Sequence, residues 1–139
     1  MNKHIRLIPA LALGIAVLSI PTLATAATTV TVGPQALLVA RGAGAVVSVE
    51  VTCDFGSRIL NAGVLVTQRV SNGLTTGFGN NNDTIDCTGT LQTYEILVRA
   101  QSKAFRKGSA IAEVSVFVCP GDFNCGSTQA NREIQLVNK

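Results

Sequence analysis

The sequence predicts an all-β domain, seven to nine short strands in two antiparallel sheets packed face to face, on three observations. Apolar residues recur at every second position almost throughout, and hardly anywhere at the 3.6-residue spacing of a helix. Turn-forming clusters of Gly, Pro, Asn, Asp and Ser punctuate that alternation at short intervals. Once an export-type leader is set aside, residues 27–139 remain, which is room for one domain and not two.

The leader is read first. Lys3, His4 and Arg6 give a basic start, and residues 7–20 are an apolar run too short for a bilayer-spanning helix of about 20 residues. Pro21 breaks the run, and Ala24-Thr25-Ala26 offers a small-x-small cleavage pattern. The expected division is a signal peptide over residues 1–26, with Ala27 the next candidate cleavage position, and a folded domain over residues 27–139. No Cys precedes Cys53, so no lipid-modified N-terminal Cys is available. A secreted, extracellular protein with no membrane insertion after cleavage is expected.

The strands follow in chain order. Thr29-Val30-Thr31-Val32 is a first short strand ended by Gly33-Pro34, and residues 36–40 form a separate edge piece. Val47, Val49, Val51 and Cys53 share one face, with Ser48, Glu50 and Thr52 on the other; this alternation marks a half-buried strand. Val64, Val66, Gln68 and Val70 alternate with Leu65, Thr67 and Arg69, and the Ser71-Asn72-Gly73 turn leads into residues 74–78. Tyr94, Ile96 and Val98 then alternate with Thr93, Glu95 and Arg99. Ala110, Ala112, Val114, Val116 and Val118 alternate with Glu113, Ser115 and Phe117, and Ile134 and Leu136 close the set. Turns are expected at residues 54–57, 71–73, 79–83, 88–90, 103–108 and 120–126. So many short strands in one small domain fit an immunoglobulin-like sandwich.

Composition narrows the chemistry. Met1 and His4 are the only Met and His, and there is no Trp, so the domain beyond the leader has none of the three. That excludes Ser/His and Cys/His nucleophiles, His-ligated metals and haem. Without Lys3 and Arg6, nine basic residues face eight acidic ones, which is no nucleic-acid footprint. Four cysteines in an exported chain of this size read as two disulfides. Of three connectivities, the five-residue spacing Pro-Gly-Asp-Phe-Asn favours Cys119 with Cys125, and hence Cys53 with Cys87. The spacings C-x5-C and C-x33-C match no zinc ribbon, and no metal or cofactor is expected.

Other constellations have plain readings. Ser102-Lys103 lies in a polar loop with nothing to desolvate the lysine, so it reads as surface rather than as nucleophile and base. Glu95 and Glu113 sit on outward positions, with no spacing that argues for a glycosidase pair. Residues 80–83 with Asp86 are oxygen-rich, but they do not match a calcium-loop pattern. Asn82-Asp83-Thr84 fits an N-glycosylation acceptor. Lys103, Arg106 and Lys107 flank Phe105, which is expected to fold onto the domain's edge. Leu65, Leu97 and Phe117 point outward and are the residues that would line an apolar pocket. The most pointed feature is the ring closed by Cys119 and Cys125. Pro120, Asp122, Phe123 and Asn124 form its candidate binding surface, with Phe123 as anchor on a loop stiffened before any partner arrives.

Taken in order, TVTVGP (29–34), VVSVEVTC (46–53), VTQRV (66–70), DCTGTLQTYEILV (86–98), AFRKGSAIA (104–112) and REIQL (132–136) resemble small secreted β-sandwich proteins of actinobacteria that have no assigned function. The resemblance implies the fold and no activity. A second likeness is to the neocarzinostatin-type apoproteins, immunoglobulin-like sandwiches with two disulfides and an apolar ligand cleft. The short ring near the C-terminus is similar to one of theirs, whereas a Cys53–Cys87 bond spans a longer loop than their other one. The expected function is a non-enzymatic binding or cell-envelope interaction module with a protein or envelope partner. The alternatives are a carrier of a small apolar ligand and a protease inhibitor presenting the Cys119–Cys125 loop.

Overall fold

A computed structural model of the chain describes residues 28–121 and 124–139. The leader assigned to residues 1–26 lies outside them. Among the described residues no helix is long and apolar enough to cross a membrane. The described residues form eight strands: β1 (Thr29–Val39), β2 (Gly44–Thr52), β3 (Arg58–Val70), β4 (Gly73–Asn81), β5 (Ile85–Asp86), β6 (Gln92–Ala100), β7 (Gly108–Cys119) and β8 (Gly126–Val137).

The alternation read in the sequence decides which side chains face inward. Val47, Val49 and Val51 of β2 and Ala112, Val114 and Val116 of β7 are buried, while their neighbours are partly or fully exposed. Ile59, Val64 and Val66 of β3, Ile96 and Val98 of β6 and Ile134 and Leu136 of β8 extend a core made mainly of branched aliphatics, with alanines between them. Each such side chain, fully buried, contributes roughly 1.5–3 kcal/mol.

The sheets are joined. Hydrogen-bonded neighbours run β3, β4, β6, β2, β1, β8, β7 and back to β3, so seven strands close into a ring, and the short β5 pairs with the start of β3. The expectation of two separate sheets is corrected in this respect. Closure needs two short seams. At one, β1 runs parallel to β8 through residues 35–37 and 135–137. Gly33-Pro34 does not end β1; the strand continues through a register shift between Val32 and Ala36, where the proline's missing N–H costs no ladder bond. At the other, β4 meets β6 at Gly77 opposite Ala100 and Phe78 opposite Arg99. A Cβ on Gly77 or Gly79 would collide with the carbonyl oxygens of Arg99 and Leu97, so only glycine lets β4 approach this closely. Gly79, read as the start of a turn, therefore belongs to a strand reaching Asn81. Between the seams lie a three-stranded layer (β1, β2, β6) and a four-stranded layer (β4, β3, β7, β8).

Candidate functional site

Both disulfides sit at the same end of the ring. Cys53 follows the last residue of β2 and Cys87 the last of β5, and their bond holds two buried half-cystines with Cα atoms 5.5 Å apart. Cys119 ends β7 opposite Arg58 at the start of β3, and it is bonded to Cys125 just before β8. The expected pairing is the one formed, and two formed disulfides mark the folded chain as a product of an oxidising environment.

These bonds anchor three loops that converge. The turn at residues 54–57 is closed by the Ser57 N–H donating to the Asp54 carbonyl (3.0 Å), and the Cys87 N–H donates to the Ser57 carbonyl (2.9 Å). Phe55 stands at the tip of that turn, 85 % exposed. The second loop, residues 88–91, is folded by Gln92. Its Oε1 accepts from the Thr88 N–H (3.2 Å), and its Nε2 donates to the Asp86 carbonyl (3.1 Å). Leu91 ends this loop 61 % exposed, and Gly89 lies directly beside Phe55. The third loop is the Cys119–Cys125 ring, whose Gly121 approaches the Gly56 carbonyl of the first. Pro120 and Asn124 are exposed there. Asp122 and Phe123 lie outside the described residues.

Phe55 and Leu91 were not singled out by sequence reasoning. The available signal was position: each large apolar side chain lies within a few residues of a cysteine, among turn formers and outside the period-two pattern. Phe55 and Leu91 thus stand exposed on loops rooted at the disulfides, at the same end as the exposed Pro120 and Asn124 of the ring.

The remaining candidates fall elsewhere. Phe105 is buried, 2 % exposed, at the opposite end, and so cannot stack on a ligand beside Lys103, Arg106 and Lys107. Glu95 and Glu113 lie on different layers and do not face each other. The Asn82 Oδ1 accepts from the side-chain amides of both Asn61 and Asn80, and the Asn81 Oδ1 accepts from the Asp83 N–H. The asparagine cluster thus satisfies itself. Among the described residues no three His, Cys, Asp or Glu side chains group to hold a metal ion. Leu65 and Leu97 line two different open grooves with Phe78 between them, and Phe117 lines neither, so the three do not form one apolar pocket. Tyr94, on β6, has a buried hydroxyl with no hydrogen-bond partner among the described residues, and burial pushes its phenol pKa up from the usual 10.

Compared with protein-family models and with curated proteins, the chain matches none.

Proposed function

We propose that this chain is an exported, non-enzymatic binding module on an immunoglobulin-like sandwich, of the kind found among small secreted actinobacterial proteins. It contacts a protein or envelope partner through its disulfide-stapled end. One observation carries the reading: Phe55 and Leu91 stand exposed on two loops whose roots are tied together by the Cys53–Cys87 bond. Large apolar side chains on pre-ordered loops lose little entropy on binding and can dominate a contact. The short seams at β4/β6 and β1/β8 support treating the ring as two layers of a sandwich. The export reading rests on the leader pattern and agrees with two formed disulfides.

Affinity capture from the producing cell's envelope and medium tests the reading, with wild type run beside the double variant Phe55→Ser/Leu91→Ser. A partner held by this end is lost from the variant's eluate and binds it about thirtyfold more weakly, the ratio that 2 kcal/mol implies. A partner retained equally by both proteins refutes the assignment of the surface. The exposed Pro120 and Asn124 on the Cys119–Cys125 ring also fit an inhibitory loop. Assays against a subtilisin-type and a trypsin-type protease separate that reading, since an inhibitor blocks one of them stoichiometrically.

A further inference from the structure

The outer face of the four-stranded layer is a second surface, remote in character from the stapled loops. β3 and β7 are its inner strands, flanked by β4 and β8, so register alone fixes which side chains share the face. One row across the layer reads Phe78, Leu65, Glu113, Asn131, and the next reads Asn80, Gly63, Ser115, Gln129. With no side chain on Gly63 and a small one on Ser115, the middle of the second row is hollow. The hollow opens into a groove of about 490 Å³, with Phe78 and Leu65 along one side and Gln129 and Asn131 along the other. The Phe78 ring leans over Gly63 and is 47 % exposed.

The lining narrows the ligand class. Among the described residues that line the groove, Glu113 is the only charged side chain, and no Lys or Arg stands there to receive a phosphate or an acidic polymer. Over β3 and β7, which are paired on both sides along the groove, an extended peptide finds no free backbone edge to join as a strand. An apolar molecule would strip water from Glu113, Ser115, Gln129 and Asn131 and return no hydrogen bond. A sugar matches each element. Its hydroxyls both donate and accept, as the side-chain amides do, and an ionised carboxylate accepts from several hydroxyls at once. The aliphatic face of a pyranose ring has a flat aromatic partner in Phe78. Phe117, 40 % exposed, lies two rows further along the same face, opposite Asn61. At roughly 3.4 Å per residue, the rows of Phe78 and Phe117 are about 14 Å apart along the strands, which is more than a single sugar ring spans.

We infer that the outer face of the four-stranded layer binds a neutral polysaccharide, with one sugar ring stacked on Phe78 and its hydroxyls bonded to Glu113, Gln129 and Asn131. This inference does not depend on the stapled end. Affinity electrophoresis through gels containing a soluble β-glucan, xylan, galactomannan, amylopectin or dextran, with polygalacturonate as the anionic control, tests it. At least one neutral polymer should retard the wild-type protein. Phe78→Ala should weaken that binding at least tenfold, and Gln129→Ala/Asn131→Ala should do so several-fold with an unchanged melting temperature, so that a folding defect in the first variant leaves the second decisive. Phe55→Ser/Leu91→Ser should be retarded like wild type. Amide resonances of Gly63, Ser115 and Gln129 should shift on titration with the retarding polymer's oligosaccharides. Retardation by none of the five neutral polymers, retardation by polygalacturonate alone, or binding indifferent to both groove variants overturns the inference. Loss of binding in the Phe55/Leu91 variant alone assigns the sugar to the stapled end and overturns it equally.

Discussion

The two ends of the ring are held together by different means. At one end, four cysteines form two covalent links, and the loops they anchor leave Phe55 and Leu91 in solvent. At the other, no cysteine is near, and an aromatic plug with buried hydrogen bonds does the work. The loop at residues 101–107 lays Phe105 into the core, and the Phe105 N–H donates to the Gly42 carbonyl (2.7 Å). Gln68, buried among valines, grips the same loop: its Oε1 accepts from the Arg106 N–H (2.8 Å), and its Nε2 donates to the Arg106 carbonyl (2.6 Å). The buried Thr75 hydroxyl donates to the Lys103 carbonyl. Facing this loop, Ala40, Arg41 and Gly42 all have positive φ, and at Gly42 any side chain would run into the Phe105 carbonyl. The difference teaches where freedom to vary lies. The covalently tied end keeps its shape with Phe55 and Leu91 in solvent, whereas the hydrogen-bonded end keeps its long loop in place by burying Phe105.

Substitutions can break that contrast, and the largest effect is expected at the plug. Phe105→Ala should cost about 3–5 kcal/mol in urea unfolding, as aromatic truncations in cores do. Phe55→Ala at the tied end should stay within about 0.5 kcal/mol. Equal midpoints for the two would mean the ends are not held differently. Next come the disulfides, compared as paired Ser variants. Opening Cys53–Cys87 should cost roughly 3–4 kcal/mol, and opening the short Cys119–Cys125 ring roughly 2, because the longer loop regains more chain entropy on unfolding. The reverse order would show that the ring, not the longer bond, ties this end.

Gln68→Met is the corresponding test for the hydrogen-bonded end. It keeps the volume but leaves the Arg106 N–H and carbonyl without partners, for a loss of about 1–3 kcal/mol and faster amide exchange at Arg106. The smallest effect concerns Tyr94, where burial raises the phenol pKa above 10. Well below pH 10 the phenol is protonated in both states, and stability does not respond to it. Above that, the unfolded chain ionises first, so stability falls with rising pH until the folded phenol also ionises. Tyr94→Phe should remove that contribution and, by deleting a buried hydroxyl with no partner, gain about 1 kcal/mol at neutral pH. Tyr94 is the chain's single tyrosine, and there is no Trp, so phenolate absorbance follows it without interference.

What the sequence made legible was whatever local periodicity controls. The alternation in β2 set Val49 inside and Glu50 toward solvent, where it accepts from the Thr31 hydroxyl (3.1 Å), and the alternation in β3 put even a glutamine on the buried face. Cysteine spacing found the disulfide pairing because a five-residue gap leaves little alternative. The closure did not show. It depends on parallel contact between β1 and β8, about a hundred residues apart, and on two glycines whose purpose appears only when β6 lies beside them. Hairpin chemistry was half legible: the Ser71-Asn72-Gly73 cluster marked the bend, but Gly73 pairs with Val70, and it is Ser71 that takes the positive φ. At the candidate site the ring around Pro120 and Asn124 was visible through its cysteines. Phe55 and Leu91 were not, because alternation describes strands and says nothing of which loop residues remain uncovered.

The parallel seam also decides how the protein presents itself when tethered. Because β1 and β8 run in the same direction, Thr28 lies beside Cys53 at the tied end, while Val137 leaves β8 at the end where residues 40–42 turn. A fusion or surface attachment following Lys139 therefore points Phe55, Leu91 and the Cys119–Cys125 ring away from the support, and one preceding Thr28 crowds them. An immobilised assay of this domain has a built-in polarity, and the C-terminal linkage is the one that leaves its apolar loops facing the medium.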